Sequence, residues 1–289
     1  MPTFDTPQPI SASIDIGAGH VRISASDRAD TIVEVRPTDE SEDADVKAAE
    51  ATRIEYGNGR LVVEGPKSKL RSLFRRTASI DVTVELPTDS RVDAKVSADV
   101  RSEGRLGDAE FSSAAGDLRL DHTRRLKLRT AAGDVSVARA VGRADVGTAA
   151  GRIWIGEIDG TAVAKTSSGD VDVGEVTGDL RLNTAYGDIS VDRALATVAA
   201  KTAYGSVRIG EVVRGSVVLT TGYGDLEVGI AAGTAAWLDV NSQFGSVRSD
   251  LHAADAPEPA AETVEVRART GYGDIVIRRT DPHPISDDF

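Results

Sequence analysis

From about residue 110 onward the chain alternates apolar and polar side chains in short runs, and one signature introduces each run. It reads Ser or Thr, two variable residues, Gly, then Asp, Ser or Arg, then an apolar–any–apolar triplet. With near matches included, it occurs nine times: SAAGDLRL at 113, TAAGDVSV at 130, TAAGRIWI at 148, TSSGDVDV at 166, TAYGDISV at 184, TAYGSVRI at 202, TGYGDLEV at 221, SQFGSVRS at 242 and TGYGDIVI at 270. The signature glycines, Gly116, Gly133, Gly151, Gly169, Gly187, Gly205, Gly224, Gly245 and Gly273, lie 17, 18, 18, 18, 18, 19, 21 and 28 residues apart. A second alternating run leads into the next Thr, as in Leu180/Leu182/Thr184 and Val217/Leu219/Thr221.

Alternation with period two means strands with one buried and one solvated side. Runs this short cannot bury a core alone, so successive units must stack, each strand beside its equivalent in the next coil. The expectation is an all-β fold, a right-handed parallel β-solenoid of nine coils of roughly 18 residues over 91–280. Thr130, Thr148, Thr166, Thr184, Thr202 and Thr221 share parity with the apolar residues, so they should form an inward or corner ladder whose hydroxyls satisfy one another or nearby carbonyls. The glycine three residues on suits a positive-φ turn.

Residues 1–90 follow another rule and predict an N-terminal antiparallel or mixed β cap. Ile14-Asp15-Ile16, the turn at 17–20 and Val21-Arg22-Ile23 read as a hairpin. Ile32–Val35, Ile54–Tyr56, Leu61–Val63 and Ile80–Leu86 read as further strands, with 38–53 a charged loop or short helix. Residues 281–289 read as a polar tail.

An N-terminal hairpin region, a strand ending in Glu85-Leu86-Pro87, and then repeated Thr-x-x-Gly-Asp-apolar-x-apolar units together resemble the bacterial putative-adhesin β-strand-repeat family, a domain-of-unknown-function family. The resemblance covers roughly residues 10–280. It implies a β-solenoid-like fold and an adhesin-like role, and it brings no catalytic residue to transfer.

Composition narrows the function. The chain has 289 residues, no Cys and a net charge of −12. The missing Cys excludes disulfides, thiolate metal sites and a cysteine nucleophile, and the acidic balance argues against bulk nucleic-acid binding. His20, His122, His252 and His283 lie in unrelated contexts without metal-ligand spacing, and neither a GxSxG elbow nor a Walker loop occurs. The expectation is no enzyme activity and no cofactor. No window reaches the ~18–20 apolar residues of a membrane span, and the first residues lack a basic–apolar leader, so a cytoplasmic location is expected.

Three features are candidates for function. Asp117, Asp134, Asp170, Asp188, Asp225 and Asp274 follow the signature glycines and form either a cation ladder or plain turn chemistry. Tyr186, Tyr204, Tyr223, Phe244 and Tyr272 directly precede those glycines, where earlier units carry Ala115, Ala132, Ala150 and Ser168. On a solenoid they would form one aromatic strip, either a contact surface or a corner covering the core. Lys67, Lys69, Arg71, Arg75 and Arg76 form a basic loop, either an anionic-partner contact or a solvated connection. The reading is a non-enzymatic interaction scaffold that meets a protein partner or a second copy of itself. A self-assembling, bactofilin-like filament protein and a carbohydrate-binding or carbohydrate-active β-helix are the alternatives, the latter with a glycan as ligand.

Overall fold

The computed structural model describes residues 1–66, 78–251 and 262–280. Its alternating runs are strands: Leu180, Leu182, Ile189 and Val191 are buried, whereas Arg181, between the first two, is exposed. Each fully buried Val, Leu or Ile contributes about 1.5–3 kcal/mol. In the repeat region consecutive strands belong to two different sheets, and the buried positions of both supply the core between them. The chain divides into two compact units, Met1–Gly151 and Arg152–Phe289.

The first unit contains β1 (Thr3–Asp5), β2 (Ser11–Asp15), β3 (Ala18–Ser26), β4 (Asp30–Pro37), α1 (Asp43–Glu50), β5 (Arg53–Gly57), β6 (Arg60–Glu64), β7 (Ser79–Pro87), β8 (Arg91–Val96), β9 (Asp99–Leu106), β10 (Ala109–Ser113), β11 (Leu118–Thr123), β12 (Leu126–Ala132), β13 (Val135–Val141) and β14 (Ala144–Ala150). One sheet runs β1-β4-β7-β3-β9-β11-β13 and the other β5-β6-β2-β8-β10-β12-β14. Pairing is parallel from β7 and β6 inward. It is antiparallel where β4 adds to β7, β1 to β4 and β5 to β6. These antiparallel strands cover the edges of β7 and β6, the device by which a stack avoids bare terminal backbone. The charged stretch 38–53 contains α1, tied down by the Ser79 N–H donating to Asp45 Oδ1 at 2.8 Å.

The expected hairpin at 14–23 is not one. β2 pairs in parallel with β6 and β8, and β3 pairs in parallel with β7 and β9, so the two lie in separate sheets. Two inward-facing apolar pairs around a Gly-rich turn look the same whether the chain folds back beside itself or crosses to the opposite sheet. The next parallel strands decide for the crossing, because they give both faces of the stack a partner.

The second unit contains β15 (Ile153–Asp159), β16 (Ala162–Lys165), β17 (Val171–Val176), β18 (Leu180–Asn183), β19 (Ile189–Ala194), β20 (Val198–Lys201), β21 (Val207–Val212), β22 (Gly215–Tyr223), β23 (Leu226–Ile230), β24 (Ala235–Phe244), β25 (Val247–Ser249), β26 (Thr263–Tyr272) and β27 (Ile275–Arg279). Its sheets run β15-β17-β19-β21-β23-β27-β25 and β16-β18-β20-β22-β26-β24, parallel throughout. Chain order and spatial order part at the end. The coil made of β26 and β27 is inserted between the coil of β22 and β23 and that of β24 and β25. The more apolar repeat thereby takes the covered slot, with Val264, Val266, Ala268, Ile275 and Ile277 all buried. The displaced coil carries Ser242, Arg248 and Ser249 and leaves β25 fully exposed.

The threonines are buried at the corner as the parity demands, Thr184 at 7% exposure and Thr202 at 1%. Four of the hydroxyls donate to the glycine carbonyl of the neighbouring coil, Thr184 to Gly169 at 3.1 Å, Thr202 to Gly187 at 3.1 Å, Thr221 to Gly205 at 2.8 Å and Thr270 to Gly224 at 2.9 Å, whereas Thr130 donates to the Ala132 carbonyl of its own coil at 3.1 Å. Gly205 has φ +146°, and a Cβ there would lie 2.1 Å from the Gly187 carbonyl oxygen. Gly205→Ala is therefore expected to cost roughly 3 kcal/mol or more. Gly233→Ala, at φ +82° with nothing within 4 Å, should cost only about 1–2 kcal/mol. Chemical denaturation of the two variants beside wild type measures the difference.

Candidate functional site

The residue before each signature glycine sits where the chain turns from one sheet to the other, and main-chain bonds fix its height in the stack. Gly187 N–H donates to the Tyr204 carbonyl at 2.9 Å, Gly205 to Tyr223 at 2.8 Å, Gly224 to Tyr272 at 2.8 Å and Gly273 to Phe244 at 3.0 Å. Parallel strands lie about 4.8 Å apart, so side chains at this position must meet in a column. The rings do. Centroids of Tyr186 and Tyr204 are 5.1 Å apart, Tyr204 and Tyr223 5.0 Å, Tyr223 and Tyr272 4.9 Å, and Tyr272 and Phe244 4.6 Å. The planes of the first three pairs agree within 3° and that of the last within 10°. The order in space is Tyr186, Tyr204, Tyr223, Tyr272, Phe244, because the inserted coil brings Tyr272 inside Phe244.

The column lies on the surface. The three inner rings are 47–49% exposed and the two end rings 60% and 61%. The step between inner and end rings reports the uncovered outer face of each end ring. Tyr186 turns that face toward the small, exposed Ser168, its bridge partner in the preceding coil. Inner rings have both faces against neighbours, so they offer a ligand their edges and hydroxyls only. None of the four Tyr hydroxyls makes a side-chain hydrogen bond among the described residues.

The Gly-Asp ladder has a different task. The Asp188 N–H donates to Asp170 Oδ1 at 2.9 Å, Ser206 N–H to Asp188 Oδ1 at 2.7 Å, Asp274 N–H to Asp225 Oδ1 at 2.7 Å and Ser246 N–H to Asp274 Oδ1 at 2.8 Å. In the first unit Asp134 N–H donates likewise to Asp117 at 3.0 Å. Each carboxylate thus accepts the N–H at the same position of the next coil, which is a turn cap repeated down the stack. Among the described residues no group of His, Asp and Glu is arranged to hold a metal ion. Trp154 and Trp237 are both exposed, at 43% and 58%, and stand apart from the column. The basic loop of Lys67, Lys69, Arg71, Arg75 and Arg76 lies outside the described residues.

What these elements define is a β-solenoid with a ladder of stacked rings on its exterior. The chain belongs to the Toastrack DUF4097 family, whose profile matches residues 11–282. Solved structures to which the chain is similar include a putative adhesin from Parabacteroides merdae, at 11% identity over 97% of this chain and 95% of that one, with a TM-score of 0.37. A putative adhesin from Bacteroides fragilis matches at 11% identity over 96% and 95%, with a TM-score of 0.36. A putative cell adhesion protein from Clostridium sporogenes matches at 13% identity over 96% and 98%, with a TM-score of 0.21. No curated protein matches the chain.

Two outcomes follow from the column and its flanking cap. Stacked ring pairs are worth about 0.5–1.5 kcal/mol each, so Tyr204→Ala, which loses two, should cost about 1–3 kcal/mol. Tyr186→Ala, which loses one, should cost about half as much, and Tyr204→Phe almost nothing; urea titrations distinguish the three. Asp274 is held below its ordinary pKa of 3.8, chiefly by the Ser246 N–H it accepts. A depressed carboxyl stabilises fully above that ordinary value and ceases to as pH falls through its lower folded value. Asp274→Asn should therefore flatten the acid limb of a thermal-midpoint-against-pH curve and leave its neutral slope unchanged.

Proposed function

We propose that the protein is a non-enzymatic, adhesin-like interaction scaffold, a right-handed solenoid of nine coils that presents the aromatic column to a protein partner. The handedness is supported by the strong preference of parallel crossovers for the right-handed connection. The observation that carries the contact role is the exposure of the column: five aromatic rings in a straight file, half open to solvent, on a chain with only 4% aromatic residues. Closing the core does not require a ring at this corner, since Ala115, Ala132 and Ala150 occupy the same motif position in the first unit. Edges and hydroxyls of ordered Tyr suit a protein surface, where Tyr gives large contact area at small entropy cost.

The same geometry works against a sugar ligand, which stacks on ring faces and would find only the outer faces of Tyr186 and Phe244 open. End-on polymerisation must contend with the antiparallel strands β1, β4 and β5, which occupy the outer edges of the first unit's sheets.

The test compares the full-length wild type with Tyr204→Ala/Tyr223→Ala in pull-downs from the native cell, with folding of both checked by circular dichroism. The expected result is a protein recovered by the wild type and lost by the folded double variant. Equal recovery by both, or glycan-array binding that the double substitution abolishes, would overturn the proposal in favour of another surface or a sugar ligand.

A further inference from the structure

The outer face of the first unit carries a second regular file, and its chemistry is unlike the column. On the adjacent strands β3, β9 and β11, Arg22 stands directly beside Arg101 and Arg101 directly beside Arg119. All three side chains are exposed, and strand spacing puts neighbouring ones about 5 Å apart. Like charges directly opposite one another in a sheet repel and weaken it.

The second unit avoids this arrangement at the same strand position. Its file reads Trp154, Asp172, Ser190, Arg208, Glu227, Val276, Arg248 in spatial order, with no two like charges adjacent. There Arg208 lies 3.8 Å from Glu227, and Asp172 accepts the Arg152 Nε–H at 2.7 Å. The repeat does not require arginine here, since on β7 the same file continues with Thr83.

The guanidinium groups are also underused. Arg22 has no ion-pair partner among the described residues. Arg101 gives its Nε–H to Glu103 at 2.8 Å, which leaves both terminal amino groups free. Arg119 reaches Asp117 only at 3.5 Å. The three line an open groove of about 540 Å³. Along its other wall, two residues earlier on each strand, lie Asp81, His20, Asp99 and Asp117. These are already engaged: His20 Nδ1 is 2.9 Å from Asp81, and Asp99 accepts the Asp117 N–H at 2.8 Å.

We propose that Arg22, Arg101 and Arg119 form a binding site for a phosphate-type oxyanion, bridged by guanidinium groups of adjacent strands. Guanidinium is the side chain best matched to such oxygens, because it donates paired, parallel hydrogen bonds. A tetrahedral oxyanion can accept from two neighbouring arginines at once and relieves their repulsion. The Asp row behind them confines the site to the Arg file and opposes a broad polyanion.

The full-length protein is titrated at constant ionic strength with inorganic phosphate and, separately, with phosphatidylglycerol vesicles, against chloride and phosphatidylcholine controls. The variant is Arg101→Thr, which introduces the residue β7 already carries in this file. Wild type should bind one of the probes, and the probe that binds identifies a free or a lipid-borne phosphate. Arg101→Thr should weaken that binding about tenfold or more, whereas Asp99→Asn should tighten it by removing a nearby negative charge. In ligand-free, low-salt buffer the thermal midpoint of Arg101→Thr should hold or rise, since a repulsion has been removed. Binding to neither probe, binding that Arg101→Thr leaves intact, or a fall in that midpoint would overturn the assignment.

Discussion

Through the second unit, coils are seated on their neighbours by a recurring contact, a buried threonine hydroxyl donating to the glycine carbonyl of the adjacent coil. The contact needs three conditions together. The threonine must turn inward with the apolar residues, the glycine must adopt a positive φ, and the neighbouring backbone must approach within a distance that no Cβ allows. Thr202, Gly187 and Gly205 meet all three. Once this corner is fixed, the height of every other position follows, and files of side chains form without further instruction. The stacked rings, the carboxylate caps and the arginine file are three uses of that regularity.

The repeat and its buried and solvated faces were legible in the sequence because period-two alternation, a recurring glycine and a threonine of matching parity all point to the same stack. The aromatic column was legible for the same reason, since a fixed motif position becomes a fixed place in space. Two features were not. The segment 14–23 satisfies a hairpin and a crossing equally well, and only strands 40 to 80 residues away, β6 to β9, choose between them. The swap of the last two coils is equally silent locally, since SQFGSVRS and TGYGDIVI carry the same register. The difference lies in how much apolar surface each would leave uncovered. The Gly-Glu pairs at 156–157 and 174–175 lie within β15 and β17, where parity shifts so that Ile158 and Val176 are buried as well.

The outward positions record a second kind of choice. At some outward positions charge is balanced sideways, as where Arg193 lies between Glu175 at 3.4 Å and Glu211 at 2.9 Å, although Glu157 stands directly beside Glu175 in the same file. Such exposed pairs add little stability individually. Against that background the aromatic column and the Arg22–Arg101–Arg119 file stand out, since solvated positions have been filled with residues that folding alone does not demand. One displays flat, weakly polar edges and the other unspent hydrogen-bond donors.

The insertion of the β26–β27 coil has a bearing on how the molecule is made. A chain emerging from the ribosome could zip its repeats together one after another, each new turn settling on the last. Here that process halts after β23. The segment that emerges next belongs farther out and lacks its neighbour until the coil of β26 and β27 has been synthesised and has taken its place beneath it. Closure of this end thus follows synthesis of β27, and any nascent chain cut short before residue 263 lacks the turn on which β24 and β25 rest.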